Sequence, residues 1–441
     1  MKNYVKISNT LKPFNKVIQI DGDKSLSIRW ALLASQAEGI SKSSNLLKSE
    51  DVLNTLDCLK KLGIKVKNLK NNCEITGNGL NGFIYKKKIV LNAGNSGTLG
   101  RLILGLLVHS KEEIKIIGDK SLSKRDFSRV TKPLKLFGAK FRTNSGKLPI
   151  TITGADFSKP IKYVENKGSA QIKSSIMLAA LNTNGTTIIK AKKSRNHSEL
   201  IFKNLKLQIK TSNKKNYDLI KIEGKKNIKP FNYKVPSDIS SGAFFIILTA
   251  LSKNSKIKIK NLNINPTRIG VLKILKLMGV MIKIKNAKLY KGEKTADLFI
   301  KSTKNFKPIN CPTKLNSAAI DEFLLIFLVA ARASGVSTFK NLSELNQKES
   351  PRLVWGSKIL NKMGIKTIIT KDSIKIFGNP NLKIKKEVII KNFLKDHRVF
   401  MTSVVAALVF GGTWKIGDKN CFKTSFPNFL DKIKSLGAKI S

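Results

Sequence analysis

Short clusters of charged and small polar residues precede several apolar segments of this 441-residue chain. The first cluster places Lys24, Ser25 and Arg29 around the predicted start of a helix. Free backbone N–H groups at a helix start favour anions, and the two basic side chains add positive charge there. The sequence therefore predicts an anion-binding site at this position.

A second cluster, from Asn92 to Arg101, is a small-residue turn that leads into another apolar segment. It lacks the Gly-Lys-Ser/Thr ending of a nucleotide-binding P-loop. We interpret it either as a backbone cradle for an anion or substrate, or as an ordinary tight turn. Further polar clusters are Lys124–Arg125, Gly168–Ser174, Ser194–Glu199, Val235–Ser241, Ile320–Glu322, Gln347–Arg352 and Asp396–Arg398.

Acidic residues are scarce, at 28 of 441. Even so, Asp321, Glu349 and Asp396 each stand within a few positions of a basic residue or another acid near a predicted helix start. Carboxylates in such surroundings can act as a general base and a general acid. Taken alone, each of them is more often a helix cap or a surface ion pair.

A repeated pattern must position these clusters. A Leu/Lys segment typical of a helix reaches a junction residue and then becomes a short strand, roughly every 70 to 85 residues. We interpret the glycines among the junctions as helix C-caps in the left-handed conformation. The junctions are Gly63, Gly138, Gln208, Gly279, Gly364 and Gly437.

Each repeat also contains an apolar helix candidate that lacks a polar stripe, which indicates a buried helix. The candidates cover residues 31–37, 102–108, 176–181, 244–251, 323–331 and 401–409. A repeat of this length is longer than those of the usual solenoids. The pattern predicts an α/β protein of six units, grouped as two sets of three, with helices inside and strands outside.

Lys and Arg number 83 against 28 acidic residues, for a formal net charge of +55. Nucleic-acid binding would need these charges clustered and interleaved with aromatic side chains, whereas the lysines are spread over the chain and aromatics are only 7%. Lysines alternating with isoleucines in residues 256–260 are typical of a half-exposed strand. We expect no dedicated nucleic-acid partner, and a positive field would attract anionic substrates.

Four widely spaced cysteines and three histidines do not suit a zinc ribbon or a disulfide scaffold. They favour a reducing compartment. The longest apolar stretches are too short to span a membrane, and the first fourteen residues lack the apolar core of a signal peptide. We therefore expect a cytoplasmic protein without membrane association.

Taken together, the polar clusters resemble the motifs of the 5-enolpyruvylshikimate-3-phosphate (EPSP) synthase family. The resemblance extends from about Lys16 to the end of the sequence. Single motifs are weak evidence, but their common order along the chain is specific. The motifs are Gly22–Arg29, Gly94–Thr98, Ser169–Ser174, Pro236–Ser241, Asn265–Arg268, Lys348–Arg352 and Asp396–Arg398.

The resemblance implies a two-domain inside-out α/β barrel built from six βαβαββ repeats with buried helices. One domain would comprise residues 22–236, the other residues 1–21 plus 237–441, and the active site would lie in the cleft between them. The implied reaction transfers the enolpyruvyl group of phosphoenolpyruvate to the 5-hydroxyl of shikimate 3-phosphate and releases phosphate. The resemblance implies no metal or organic cofactor, and we expect a monomer.

The resemblance also implies roles for individual residues. Asp321 would be the base on the 5-hydroxyl, and Glu349, helped by Lys24, would protonate the methylene carbon. The residues implied to bind shikimate 3-phosphate are Lys24, Ser25, Arg29, Ser169, Gln171, Asp321 and Lys348. Those implied to bind phosphoenolpyruvate are Lys24, Gly97, Arg125, Gln171, Arg352 and Arg398.

The sequence departs from the family pattern at several positions. Pro351 replaces an acidic residue next to Arg352, which could re-aim that arginine, and Lys423 is one residue out of register with a phosphate-binding lysine found in some members. Three alternatives stay open: the related transferase that acts on UDP-N-acetylglucosamine, a basic nucleic-acid binder without catalysis, and a degenerate, inactive transferase.

Overall fold

The structure is a computed structural model that describes residues 3–69 and 72–441. Met1 and Lys2, which belong to the predicted 1–21 segment, lie outside this description. The chain divides into two compact units. The first unit contains Gly22–Val235 and Tyr290–Glu293, and the second unit contains the chain up to Asp21, Pro236–Leu289 and Lys294–Ser441.

Helices and strands alternate along the whole described chain. The helices are α1 Lys24–Ala34, α2 Glu50–Lys61, α3 Gly97–Leu106, α4 Ser128–Lys135, α5 Ala170–Leu181, α6 His197–Asn204, α7 Ile239–Leu251, α8 Gly270–Leu277, α9 Asn316–Ala319, α10 Phe323–Arg332, α11 Arg352–Lys362, α12 His397–Phe410 and α13 Phe429–Ser435. Short 3-10 helices cover Leu107–His109, Leu122–Lys124, Thr313–Leu315, Ser343–Gln347 and Cys421–Thr424.

The strands are short and mostly half-exposed. They are β1 Tyr4–Ile7, β2 Asn15–Gln19, β3 Glu38–Ser44, β4 Lys65–Asn68, β5 Asn72–Asn78, β6 Ile89–Asn92, β7 Ile114–Ile117, β8 Lys140–Asn144, β9 Lys147–Thr153, β10 Lys162–Glu165, β11 Thr186–Lys192, β12 Ile209–Asn213, β13 Tyr217–Glu223, β14 Asn232–Lys234, β15 Lys256–Asn263, β16 Ile282–Tyr290, β17 Glu293–Lys301, β18 Val336–Phe339, β19 Thr367–Ile369, β20 Ile374–Phe377, β21 Ile384–Ile390 and β22 Gly411–Gly417.

Three sheets of the first unit share one strand pattern, with orders β14-β3-β5-β4, β6-β7-β9-β8 and β10-β11-β13-β12. In each, the first pair is parallel and the remaining pairs are antiparallel. The apolar helices α1, α3 and α5 supply about a third of the core residues of this unit and are buried on nearly all sides. The absence of a polar stripe therefore predicted their burial correctly.

The described residues of the second unit form sheets with orders β16-β17-β15-β2, β18-β20-β19 and β1-β22-β21. Its buried helices are α7, α10 and α12, and every residue of α7 is buried. In β15 the isoleucines at 257 and 259 point into the core while the flanking lysines at 256 and 260 are exposed, as the alternating pattern predicted. Among the described residues, no helix is both long and apolar enough to cross a membrane.

The junction glycines have the backbone conformation expected of helix C-caps. Gly63, Gly138, Gly279, Gly364 and Gly437 all have positive φ, between 83° and 107°. The assignment of Gln208 to this position was wrong. Helix α6 ends at Asn204, and Lys206 takes the positive φ, at 55°. Its neighbours Leu205 and Leu207 match those of Gly63, so the register of this junction is two residues earlier than the sequence suggested.

Candidate active site

Helix α1 of the first unit begins where the sequence predicted an anion-binding site. The carboxylate of Asp23 accepts a hydrogen bond from the backbone N–H of Leu26 at 2.9 Å and thereby caps the helix. The ammonium group of Lys24 lies 3.0 Å from Asp51, which is nearly buried at the start of α2. Asp51 was not predicted from the sequence, because this contact joins residues far apart in the chain.

Arg29 is buried, and hydroxyl and carbonyl oxygens accept hydrogen bonds from its guanidinium group. Its Nε donates to the hydroxyl of Ser198 at 2.9 Å and its Nη2 to the hydroxyl of Ser174 at 3.0 Å. These two hydroxyl oxygens are themselves 2.7 Å apart, and Nη1 of Arg29 donates to the carbonyl of Ser25 at 3.1 Å. These hydroxyl and carbonyl acceptors fix the orientation of the guanidinium group, which is the kind of group that binds anionic ligands.

Gly97 opens helix α3 and makes room for two arginines. A Cβ atom at this position would lie 2.9 Å from Nη1 of Arg125 and 3.0 Å from Nη1 of Arg101. Arg101 donates to the side-chain oxygen of Gln171 at 2.8 Å, and Gln171 donates to Thr98 at 3.1 Å. Sequence motifs predicted binding roles for Gly97, Arg125 and Gln171 but not for Arg101, which lies beside Gly97 and contacts Gln171.

Ser169 caps helix α5, its hydroxyl accepting from the backbone N–H of Ile172 at 3.4 Å. The loop before the helix wraps around Glu165, whose carboxylate accepts from the N–H groups of Lys167, Gly168 and Ser169 at 2.9 to 3.2 Å. Burial raises the pKa of Glu165 above its ordinary value, although these N–H groups oppose the shift. The carboxylate therefore fixes the backbone that carries Ser169.

The second unit contains the acidic candidates. Asp321 lies between α9 and α10, and its carboxylate is 3.2 Å from the ammonium group of Lys348 and 3.5 Å from Nη1 of Arg352. Its backbone carbonyl accepts a hydrogen bond from Arg398 at 2.8 Å. The structure thus brings together four residues that the sequence motifs predicted. They are Asp321 and the three cations Lys348, Arg352 and Arg398.

Arg352 is 2% exposed at the start of α11. Its Nε and Nη2 form a fork on the buried carboxylate of Asp396, at 2.9 and 3.2 Å, and Nη2 also contacts Glu349. Burial acts to lower the pKa of Arg352, but these carboxylates and Asp321 raise it above its ordinary value. Pro351, whose effect the sequence left open, caps α11 without a side-chain hydrogen bond, and Arg352 points into the acidic cluster.

Arg398 lies in the first turn of α12, where the Asp396 carboxylate accepts its backbone N–H at 2.9 Å. Its guanidinium group is 3.6 Å from the buried carboxylate of Glu322, which in turn accepts a hydrogen bond from Ser240 at 2.5 Å. Lys423 is exposed in a 3-10 helix, so its assignment as a phosphate ligand stays a prediction.

The selected residues therefore form two groups. Within the first unit, contacts join Ser25 to Arg29 and place Gly97 beside Arg125, with Gln171 tied to the same helix. Within the second unit, one network joins Asp321, Lys348, Glu349, Arg352 and Arg398. The first group is cationic and rich in hydroxyl and amide groups, whereas the second combines carboxylates with cations.

Comparison with solved structures gives the class of protein. The enolpyruvyl transferase NikO from Streptomyces tendae superimposes with a TM-score of 0.77 over 99% of this chain and 98% of its own, at 14% identity, which shows a shared fold. The EPSP synthase from Acinetobacter baumannii superimposes with a TM-score of 0.86 at 33% identity, with 99% of both chains covered. The fold is the mixed α/β fold of the enolpyruvyl transferases.

Sequence comparison gives the family. The description "EPSP synthase (3-phosphoshikimate 1-carboxyvinyltransferase)" belongs to a family model that matches residues 9–433. A 3-phosphoshikimate 1-carboxyvinyltransferase from Vesicomyosocius okutanii subsp. Calyptogena okutanii (strain HA) is 39% identical, with 96% of each chain covered. One from Thermoanaerobacter sp. (strain X514) is 38% identical, with 94% of this chain and 95% of its own covered. The chain belongs to the EPSP synthase family.

Proposed function

We propose that the two residue groups described above carry out the reaction of the family on a single pair of substrates. The chain transfers the enolpyruvyl group of phosphoenolpyruvate to the 5-hydroxyl of shikimate 3-phosphate by addition and elimination and releases phosphate. The reaction belongs to the shikimate pathway, which leads to chorismate and the aromatic amino acids. The observation that carries the assignment is the family match over residues 9–433.

The phosphate of shikimate 3-phosphate binds at the start of α1, where Lys24, Ser25 and Arg29 supply positive charge and hydrogen-bond donors. The fixed positions of Ser174 and Ser198 against Arg29 support this role, because they hold the guanidinium group in one orientation. Ser169 and Gln171 bind the same substrate from the start of α5. In the second unit, Asp321 and Lys348 bind its ring hydroxyls.

Phosphoenolpyruvate carries a phosphate and a carboxylate, and its negative charge repels that of the first substrate. Lys24, Arg125, Arg352 and Arg398 offset this repulsion, since planar guanidinium groups bind both kinds of oxyanion through paired hydrogen bonds. Gly97 and Gln171 complete this set. The close approach of Arg125 to Gly97 supports the role of the glycine, because a side chain there would displace the guanidinium group.

The acid–base chemistry uses two carboxylates. In the addition step, Asp321 removes the proton of the 5-hydroxyl while Glu349, helped by Lys24, delivers a proton to the methylene carbon of phosphoenolpyruvate. In the elimination step, a proton leaves the new methyl group and phosphate departs with the electrons of its C–O bond. The pairing of Asp321 with Lys348 supports its role as base, because a nearby cation favours the ionised carboxylate.

Three broader features belong to the same proposal. The helices lie inside and the strands outside in six repeats, which together form an inside-out barrel in each unit. The chain acts as a monomer. It works in the cytoplasm, and the four buried, free cysteines support such a reducing location.

An acceptor comparison tests the function. Purified protein is supplied with phosphoenolpyruvate and either shikimate 3-phosphate or UDP-N-acetylglucosamine, and phosphate release is measured. We expect release only with shikimate 3-phosphate. Release with the nucleotide sugar would favour the related transferase, and no release with either acceptor would favour an inactive family member.

A further inference from the structure

The hairpin between β16 and β17 ends in the first unit, although its two strands belong to a sheet of the second unit. We call its four terminal residues, Tyr290–Glu293, the hairpin tip. Lys291 and Gly292 turn the chain with positive φ, at 49° and 86°. The tip therefore adds a segment from a distant part of the sequence to the unit that carries Arg29.

Glu293 of the hairpin tip is buried against the first turn of α6. Its Oε1 lies 2.6 Å from Nδ1 of His197, and both side chains are 1% exposed. A carboxylate removed from water is strongly unfavourable unless a hydrogen-bonding partner compensates it. The pair therefore ties the hairpin tip to the N-terminus of α6.

The first turn of α6 also carries Ser198, the residue after His197. The hydroxyl of Ser198 accepts from Nε of Arg29 at 2.9 Å and lies 2.7 Å from the hydroxyl of Ser174. The backbone of the hairpin tip packs closely on the same helix, because a Cβ on Gly292 would lie 3.3 Å from Cβ of Leu200. A displacement of this turn would move the oxygen that orients Arg29.

Further contacts attach the hairpin tip to the end of the Gly22–Val235 segment. The hydroxyl of Tyr290 accepts from the backbone N–H of Lys234 at 2.9 Å, and its ring centroid is 5.8 Å from that of Tyr233. Burial raises the pKa of Tyr233 well above its ordinary value, and the nearby charges of Glu293 and Asp23 raise it further. Asp23 is the residue that caps α1, so the charge of Glu293 lies close to both helices that hold the Arg29 site.

We propose that Glu293 is a positioning residue for the acceptor substrate: through His197 it fixes the first turn of α6, so that Ser198 holds Arg29 in the orientation that binds the phosphate of shikimate 3-phosphate. The inference rests on the proposed role of Arg29. Small errors in the position of a binding group weaken substrate binding strongly, even when the group itself is intact. Glu293 acts only through its neighbours and does not touch the substrate.

The test compares Glu293→Ala and Glu293→Gln with the wild type. We expect Glu293→Ala to raise the Kd for shikimate 3-phosphate at least tenfold by titration calorimetry, with the KM for phosphoenolpyruvate changed less than twofold. Glu293→Gln should recover most of the affinity, because its amide oxygen still accepts the hydrogen bond of His197. Glu74→Ala, which removes a partly exposed carboxylate paired with Lys42 in the same unit, is the matched control.

A second variant keeps the test decisive if Glu293→Ala does not fold. Ser198→Ala removes the contact to Arg29 directly and should raise the same Kd by a similar factor. The double variant Ser198→Ala/Glu293→Gln should bind shikimate 3-phosphate no more weakly than Ser198→Ala alone. An unchanged Kd in both Glu293→Ala and Ser198→Ala, or equal losses of affinity for both substrates, would contradict the inference.

Arg29→Lys separates this inference from the proposed function. If Arg29→Lys raises the Kd for shikimate 3-phosphate while the Glu293 and Ser198 variants leave it unchanged, the positioning role is wrong and the role of Arg29 stands. If Arg29→Lys also leaves it unchanged, the proposed binding site is wrong.

Discussion

Arg29 in the first unit and Arg352 in the second unit are both nearly buried, at 5% and 2% exposed, but they are held by different acceptors. Arg29 donates to two serine hydroxyls and a backbone carbonyl. Arg352 donates to the carboxylates of Asp396 and Glu349, with Asp321 also in contact. The hydroxyl and carbonyl acceptors of Arg29 carry no formal charge, whereas the carboxylates at Arg352 offset its positive charge within the protein.

In the proposed reaction, this difference would make the two arginines bind their substrates differently. An anion that reaches Arg29 would gain a charged hydrogen bond from a guanidinium group that serine hydroxyls orient. An anion that reaches Arg352 would compete with Glu349 and Asp321 for the guanidinium group and would release the two carboxylates that we propose as acid and base. Binding of phosphoenolpyruvate would therefore also prepare the acid–base pair, while the fork on Asp396 keeps the guanidinium plane fixed.

The largest expected effect concerns the proposed acid–base pair of the second unit. Asp321→Asn removes the proposed base and keeps the size of the side chain, so kcat should fall about 10²- to 10⁴-fold. Steady-state phosphate release under saturating substrates measures it. Asp431→Asn, an exposed position in α13, should retain wild-type kcat. A kcat within tenfold of wild type in Asp321→Asn would show that another group removes the proton.

Methionine at each of the two arginines tests the comparison directly. Arg352→Met leaves the fully buried Asp396 without its cation and should lower the free energy of unfolding by about 3–5 kcal/mol. Arg29→Met should lower it by only about 1 kcal/mol, because Ser174 and Ser198 keep their mutual hydrogen bond.

Urea unfolding at neutral pH measures both arginine variants. Arg29→Met should instead raise the KM for shikimate 3-phosphate at least tenfold, since the lost guanidinium contributes a charged hydrogen bond. Equal losses of stability in the two variants would remove the distinction between the units.

The smallest expected effect is a difference in acid sensitivity. Burial lowers the pKa of His109 in the first unit from 6.5 to about 4, so its contribution to stability is complete above pH 6.5 and is lost as pH falls towards 4. Burial acts to raise the pKa of Asp396 in the second unit, but Arg352 and His397 hold it below its ordinary value of about 3.9. The contribution of Asp396 is therefore complete above that value and lost only below it.

Hydrogen exchange, corrected for the intrinsic rates, should show that the protection free energy of α3 is about 1 kcal/mol lower at pH 5 than at pH 7. The protection of α12 should be the same at both pH values. His109→Gln should abolish the pH effect on α3. Equal changes in both helices, or a pH effect that persists in His109→Gln, would contradict the assignment.

The sequence predicted those parts of the fold that depend on local patterns. Apolar segments without a polar stripe became the buried helices, and glycines after Leu/Lys segments took positive φ. Gln208 shows the limit of this reasoning. Because no glycine marks this junction, the Leu/Lys pattern did not indicate that Lys206 takes the left-handed backbone conformation.

The order of motifs in the sequence indicated the candidate residues, but it did not indicate the residues that contact them. Asp51 pairs with Lys24, and Glu293 pairs with His197 across almost a hundred residues of sequence. Such contacts depend on how distant segments pack, so no local period or spacing indicates them. Arg101 lay within a predicted cluster, but the contacts that distinguish it from a surface arginine, such as its hydrogen bond to Gln171, join distant segments.

The hairpin tip has a practical consequence for the design of truncated forms of this protein. A recombinant fragment that ends at Val235 would lack Glu293, leaving His197 without the carboxylate that it contacts in the intact chain. Such a fragment would have to fold without the hairpin tip, which belongs to the same compact unit. Supplying the Ile282–Lys301 hairpin as a separate peptide, or grafting its four-residue turn onto the fragment, is the direct way to restore them.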